Sequence, residues 1–441
     1  MSETAASTRS AERAPRIESI ELHRLEVPLV RPFETSFGRE AAREVLLVHV
    51  RTDRGDGWGE CVAGRDPFYS GEYVDGAASV IERYLAPALL RAPAPHLVDD
   101  GHVSGVLIED PAHATGIWVD DREQGVPAAG TAGTAGASSG AAASIASVPL
   151  AASVAPTLSF VAGHRMAKGA LEAAVLDAEL RAQGRSMAEC FGAVRDWVDC
   201  GVSVGIAPTL EELLDEVTGY LEAGYRRIKL KIKPGWDLVP VAAVRELIGR
   251  DAMLQVDANT AYTADDIPLL ASLDPFDLLL IEQPFAEEDL ATHVRLAQAA
   301  ETPVCLDESI LDVTTAVDAI ERGATSIVNI KPGRMGGFLE ALRVHDACRA
   351  REVPVWCGGM LETGVGRAAN VAIAALPGFV LPGDTSASGR YFAEDLTEPF
   401  VLGSGEHRGQ MRVPDAAGTG VTVRDELVRD WASRAAVTIG A

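Results

Sequence analysis

The sequence predicts an α/β protein in which an eight-stranded (β/α) barrel, formed by the C-terminal half, is capped by an α+β domain drawn from the N-terminal part and the C-terminal tail. Three observations predict it. Short β-type runs recur after Cys200 at the interval of a βα unit, five successive runs end in a charged residue, and the region before Cys200 shows neither pattern. The 441 residues leave room for such a barrel, which takes up about 250 residues, and for a smaller domain beside it.

In chain order, residues 1–16 are rich in Ser, Ala, Arg and Glu and have no apolar core of the kind a secretory signal carries, so a flexible tail is expected. Partial alternation over Ser19 to Val30 and a β-rich run over Val45 to Val50, leading to the turn Asp53-Arg54-Gly55-Asp56-Gly57, predict an antiparallel sheet. Apolar residues at helical spacing in Tyr73 to Leu90 and Met166 to Ala182 predict helices that cover it. Segments 17–96 and 150–195 therefore read as the cap. The intervening 97–149 turns into a low-complexity Ala/Gly/Ser/Thr stretch that buries too little surface to offset its ordering entropy, and is expected to be a disordered insertion. Its His102, Asp110 and His113 match no standard metal spacing and read as solvated.

The barrel is expected over 196–388, with strands at Gly201–Val204, Ile228–Lys231, Leu254–Asp257, Leu279–Glu282, Val304–Asp307, Val328–Lys331, Pro354–Cys357 and Val380–Gly383. Helical segments such as Leu210 to Ala223 and Glu340 to Arg349 separate them, and residues 389–441 are expected to return to the cap.

Composition limits the function. With 39 Lys plus Arg against 64 Asp plus Glu, the net charge of −25 disfavours nucleic acid and anionic lipid surfaces as partners. The 47 % hydrophobic and 23 % charged content is that of a globular chain with a large core. Six cysteines without a C-x-x-C pair predict reduced thiols and a cytoplasmic location. The small-residue stretch Ala141 to Ala162 is broken by Pro149 and Pro156, so no membrane span is expected.

Lys231, Asp257, Glu282, Asp307 and Lys331 follow one another at steps of 26, 25, 25 and 24, each at the C-terminal end of its strand, where barrel active sites lie. Three carboxylates on adjacent strands, about 4.8 Å apart, repel one another unless a cation binds between them. An all-oxygen donor set suits Mg²⁺ or Mn²⁺ better than zinc. Lys231 on the second strand and Lys331 on the sixth stand on opposite sides of the barrel mouth, which suits removal of a proton from one face of a carbon and delivery to the other. A lysine base near neutrality needs its pKa lowered from about 10.4 to about 7–8, roughly 4 kcal/mol. Lys229, on the same face as Lys231 by the period of two, together with the cation is expected to supply that shift. The metal's second task is to hold negative charge developing on the substrate carboxylate.

The motifs Lys229-Leu230-Lys231, Asp257-Ala258-Asn259, Ile281-Glu282-Gln283-Pro284, Leu306-Asp307-Glu308-Ser309 and Asn329-Ile330-Lys331-Pro332 resemble those of the enolase superfamily, in its muconate-lactonizing-type subgroup. The absence of an Asp-His dyad separates the chain from the mandelate-racemase type. Within the subgroup the resemblance is strongest to o-succinylbenzoate synthases and N-succinyl (N-acyl) amino acid racemases, and spans all but the insertion and the termini. It implies that Lys231 and Lys331 are the acid/base pair, that Asp257, Glu282 and Asp307 bind Mg²⁺ or Mn²⁺, and that Ser203, Asn259 and Gly358-Gly359-Met360 contact the substrate, a small carboxylate. It places Phe33 and Tyr69 in the pocket, on cap loops Phe33 to Gly38 and Cys61 to Tyr69. Gly64-Arg65-Asp66 departs from the smaller, more apolar residues of relatives, and Gly383-Asp384-Thr385-Ser386 lacks the Asp-x-Asp that dipeptide epimerases use for an amino group. The expected activity is o-succinylbenzoate synthase, a menaquinone-pathway dehydratase, with the racemase as the alternative and a non-catalytic scaffold as a third reading. A homo-oligomer is expected.

Overall fold

The computed structural model describes residues 15–36, 38–92 and 150–440. The expected insertion at 97–149, with His102, Asp110 and His113, and positions 1–14 of the expected tail lie outside the described residues.

The strands, in chain order, are β1 (Ile17–Thr35), β2 (Gly38–Thr52), β3 (Gly55–Cys61), β4 (Trp197–Asp199), β5 (Gly201–Val204), β6 (Arg227–Lys231), β7 (Met253–Asp257), β8 (Ile281–Glu282), β9 (Val304–Leu306), β10 (Ile327–Ile330), β11 (Val355–Cys357), β12 (Gln410–Arg412) and β13 (Val437–Gly440). The cap sheet runs β13-β1-β2-β3, all antiparallel. The C-terminal β13 thus lies beside β1, and β12 pairs with β4 in a separate ribbon.

Val45–Val50 is nearly continuous in apolar character because both faces of the cap sheet are covered. Ile20, Leu22, Leu46, Val48 and Val50 join the main core, whereas Leu25, Val27, Val45 and Leu47 pack in a second cluster with Leu427 and Val428 of the C-terminal helix Asp425–Asp430. The long helix Arg165–Gln183 lies directly on β3. A Cβ added at Gly59 would stand 2.8 Å from the Ala174 amide nitrogen, so glycine on the strand and alanines at helical spacing on the helix (Ala170, Ala174, Ala178) together permit this close approach. The segment expected as one helix over Tyr73 to Leu90 is Val74–Val80, a π turn Ile81–Leu85, then Ala86–Arg91. Pro87, which lacks an amide hydrogen and would clash with the carbonyl four residues back, accounts for the widened turn.

Seven parallel strands follow in sequence order, β5 to β11, curled so that their C-terminal ends face the cap. The expected eighth strand, Val380–Gly383, is not a strand. Pro382 has no amide hydrogen to give, and the segment joins its neighbours only through single bridges, Val355 to Phe379 and Cys200 to Gly383. The Gly201 amide donates to the Gly383 carbonyl at 2.7 Å and the Asp384 amide to the Cys357 carbonyl at 2.8 Å, so this irregular stretch closes the gap between β11 and β5. The run Leu279–Glu282 is also shorter than expected, reduced to Ile281–Glu282. Below the mouth the barrel is filled by Leu280, Cys305, Ile327 and the fully buried Trp356. All six cysteines are buried and free. No helix among the described residues is long and apolar enough to cross a membrane.

Candidate active site

The strand register does the first part of the assembly. Lys231 pairs with Asp257 and Asp257 with Glu282, so three charged residues from β6, β7 and β8 stand at one level. Asp307 and Lys331 come one residue after β9 and β10. All five are nine-tenths or more buried.

Lys231 Nζ donates to Asp257 Oδ2 and to Asn259 Oδ1, both at 2.6 Å. Across the mouth, Lys331 Nζ donates to Asp307 Oδ2 at 2.7 Å and to the Tyr69 hydroxyl at 3.3 Å, with Met360 Sδ at 3.6 Å. Three strands separate the two lysines, as the step pattern requires. Asn329 Nδ2 donates to Glu282 Oε1 at 2.7 Å, and Asn259 Nδ2 to Glu308 Oε1 at 3.1 Å. Arg334 Nη2 donates to the Glu308 carbonyl at 2.6 Å, and its Nη1 to Tyr69 at 3.4 Å. Gln283 holds the strand ends from behind: its side-chain oxygen accepts from the Asp307 and Ser309 amides at 3.1 and 3.2 Å.

The expectation for Lys229 is reversed. Rather than raising the local positive potential, its ammonium is surrounded by Asp384 Oδ2 at 2.6 Å, Glu282 Oε2 at 3.1 Å and Asp257 Oδ2 at 3.2 Å, over the face of Trp356 at 4.8 Å. Asp384 also accepts from Arg227 Nη2 at 2.9 Å. Burial works against the charge on Lys229, but the three carboxylates, Asp384 foremost, raise its pKa instead. Lys331 behaves alike: burial opposes its charge, and Asp307 holds its pKa well above the ordinary lysine value. The sequence reading of Lys229 as a source of positive potential omitted these ion pairs.

Carboxylate chemistry fits a divalent cation. Glu282 is pushed up to about 8 by burial and by the neighbouring Asp257, and Glu308 to about 7 by burial and by Asp307. Asp307 Oδ1 and Glu308 Oε2 are buried and receive no hydrogen bond. Buried acids that crowd one another, two of them with an oxygen that accepts no hydrogen bond, are donors that a hard cation neutralises. Their oxygens do not form a closed cluster in this state, because the lysines stand among them: among the described residues, Glu21, His23 and His49 form the group of potential ligands with atoms all within 4.8 Å of one another.

Above these charges lies a cavity of about 410 Å³ between cap and barrel, reached by Lys229, Lys231 and Lys331 and walled by Phe33, Tyr69, Ser203, Asn259, Gly359 and Met360. Ser203 Oγ is buried without a hydrogen-bond partner. Gly358 does not line the cavity. An added Cβ there would lie 2.6 Å from Lys331 Cε, so glycine at this position makes room for the lysine. Phe33 is not on a loop but in β1, near the tip of the β1–β2 hairpin, which docks on the barrel: the Ile206 amide donates to the Glu34 carbonyl at 3.0 Å and Ser36 Oγ to the Asn259 carbonyl at 3.3 Å. Gly64, Arg65 and Asp66 also line the cavity.

Sequence reasoning gave no role to Asp384, Arg227, Asn329, Glu308 and Arg334. Asn329 carried a usable signal, since it lies two residues before Lys331 and so shares its inward face. Arg227 had the same relation to Lys229.

A capped barrel with lysines on either side of three strand-end carboxylates defines the class. Residues 212–427 match the family model described as Enolase C-terminal domain-like. The chain is 52 % identical to an N-succinylamino acid racemase of an Amycolatopsis species over 425 residues, 96 % of this chain and 100 % of the relative. It is 39 % identical to an o-succinylbenzoate synthase of Geobacillus kaustophilus over 408 residues, 92 % of this chain and 93 % of that one. A crystal structure of an enolase-superfamily member from Listeria innocua matches with TM-score 0.79 and 33 % identity, covering 97 % of this chain and 99 % of the other. The chain belongs to the enolase superfamily. Within it, the two relatives just described carry different named activities, N-succinylamino acid racemase and o-succinylbenzoate synthase.

Proposed function

We propose that the protein is an enzyme that removes the α-proton of a small carboxylate substrate, with Lys231 and Lys331 as the acid/base pair, and that its reaction is racemisation of an N-succinylamino acid. The observation that carries this reading is the placement of two buried lysines on opposite sides of one cavity, each 2.6–2.7 Å from a carboxylate. In racemisation Lys231 takes the proton from one face of the α-carbon and Lys331 delivers one to the other, or the reverse. Asp257, Glu282 and Asp307 would hold a divalent cation, Mg²⁺ or Mn²⁺, which when bound supplies positive charge for the substrate carboxylate. That charge would let Asp257 and Asp307 release the two lysines toward the substrate, and would remove the Asp307 contact that now raises the pKa of Lys331. Ser203, Asn259, Gly359 and Met360 would contact the substrate, with Phe33 and Tyr69 closing the pocket from the cap side.

The second reading is dehydration by an o-succinylbenzoate synthase in menaquinone biosynthesis, which the 39 % relative supports. There Lys231 takes the α-proton and returns it to the departing hydroxyl, which leaves as water. Sequence motifs alone put this reading first; the 52 % relative weighs toward racemisation. A cytoplasmic location and a homo-oligomeric assembly complete the proposal.

NMR of the purified protein with Mg²⁺ or Mn²⁺ in D₂O tests it, offering an N-succinylamino acid and, separately, the o-succinylbenzoate precursor. Deuterium entering the α-carbon of the first, abolished in both Lys231→Ala and Lys331→Ala, is the expected result. Turnover of the precursor without exchange into the amino acid derivative selects dehydration. No reaction with either substrate in folded, metal-loaded protein overturns both readings.

A further inference from the structure

A second group of metal-ligating side chains lies on the cap sheet, on the face turned away from helix Arg165–Gln183. Glu21 and His23 are two residues apart on β1 and so share a face, and the β1–β2 register sets Glu21 directly opposite His49. None of the three lines the barrel cavity. We propose that Glu21, His23 and His49 form a second divalent-cation site, of the zinc class, that joins β1 to β2.

The three ligand atoms lie within 4.8 Å of one another, and the two distances from Glu21 fit that ion. Glu21 Oε2 stands 3.4 Å from His23 Nε2 and 3.5 Å from His49 Nδ1. Two ligands bound to tetrahedral zinc at its usual bond lengths are about 3.3 Å apart. Two imidazoles and one carboxylate are a donor set that zinc accepts with a fourth position left to water, and the side chains of Glu21 and His23, 19 % and 17 % exposed, leave that position open to solvent.

Proton placement supports the same conclusion. His49 Nε2 lies 2.6 Å from Asp56 Oδ2, a contact that places a ring proton on Nε2, so that in the neutral ring Nδ1 presents its lone pair to the Glu21 carboxylate. Two acceptors then face each other with nothing between them. His23 Nε2 is buried and makes no hydrogen bond, so it too offers an unpartnered ring nitrogen to the same point. The surrounding groups orient the ligands as outer-sphere partners do: Asp56 holds His49, Arg51 Nε donates to the other oxygen of Glu21 at 2.8 Å, and the Trp58 ring stacks on His49 at 3.9 Å. The Arg51 charge weakens cation binding, and the Asp56 charge offsets it. The competing arrangement is a doubly protonated His49 shared between Glu21 and Asp56, which would bind no zinc.

The full chain, stripped with chelator and then kept in excess Mg²⁺ to fill the barrel carboxylates, is dialysed against increasing Zn²⁺ and its metal content measured. His23→Gln and Glu21→Gln, both partly exposed positions, are measured beside it, with Co²⁺ spectra as a second readout. The expected result is one Zn²⁺ per chain whose affinity falls at least tenfold in both variants, and intense four-coordinate Co²⁺ bands that the variants lose. Equal Zn²⁺ uptake and equal Co²⁺ spectra in all three proteins, or an anomalous diffraction peak at the barrel mouth alone, would overturn the proposal. Should one variant misfold, the other decides.

Discussion

Replacing Asp384 by Asn removes the anion that both Lys229 and Arg227 face, at 2.6 and 2.9 Å, while keeping the side chain's shape. All three groups are buried, and taking one partner from a buried ion pair costs about 3–5 kcal/mol. Here the remaining partners set the value within that range: Lys229 keeps Glu282 and Asp257 at 3.1 and 3.2 Å, and Arg227 keeps the Pro382 carbonyl at 2.9 Å. The low end therefore applies, about 3 kcal/mol, which in a chain of this size is a fall of roughly 6 °C in Tm at about 2 °C per kcal/mol. A second effect follows from the same geometry. With Asp384 neutral, Lys229 leans entirely on Glu282 and Asp257, two of the proposed cation ligands, so Mg²⁺ affinity is expected to fall about tenfold, 1.4 kcal/mol. Thermal scans at one fixed rate, with and without Mg²⁺, measure both. A variant that melts within about 1 °C of the parent and binds Mg²⁺ equally well would refute the assignment of Asp384 as the principal partner of Lys229.

Gly59→Ala is expected to destabilise the cap by at least about 2 kcal/mol, because the added methyl is driven into the backbone of the helix at Ala170 and Ala174; urea unfolding measures this. Glu60, which accepts from Thr363 Oγ1 at 2.7 Å and from the amides of Thr363 and Gly366, is pushed up to about 7 by burial, with the Glu362 charge adding to the rise. A carboxyl whose folded pKa lies above its unfolded value is best tolerated protonated, so its contribution is lost as pH rises from about 4.5 through about 7, by roughly 3 kcal/mol. Glu60→Gln is accordingly expected to gain stability relative to the parent between pH 5 and pH 8, and a pH-independent difference would count against a raised Glu60. The lysine variants in the exchange assay and the cap-sheet variants in the zinc titration complete the set.

Much of the active site could be read from the sequence because a (β/α) barrel repeats a short local pattern. The interval between strands marks where each ends, and the strand period of two decides which side chains point inward; together these place Lys231, Asp257, Glu282, Asp307 and Lys331 at one mouth. Contacts between distant segments carry no such pattern. Asp384 meets Arg227 across 157 residues and Lys229 across 155, through a segment whose proline keeps it from forming a regular strand, and only the closed barrel brings them together. The role of Lys229 was misjudged for the same reason: it depends on which carboxylates its ammonium touches in three dimensions. The cap cluster of Glu21, His23 and His49 shows the division plainly. Two of its members share a strand and their spacing is visible in the sequence, but the third arrives 26 residues later by the register of a hairpin, and that register is set by which apolar residues of β1 and β2 the packed core buries.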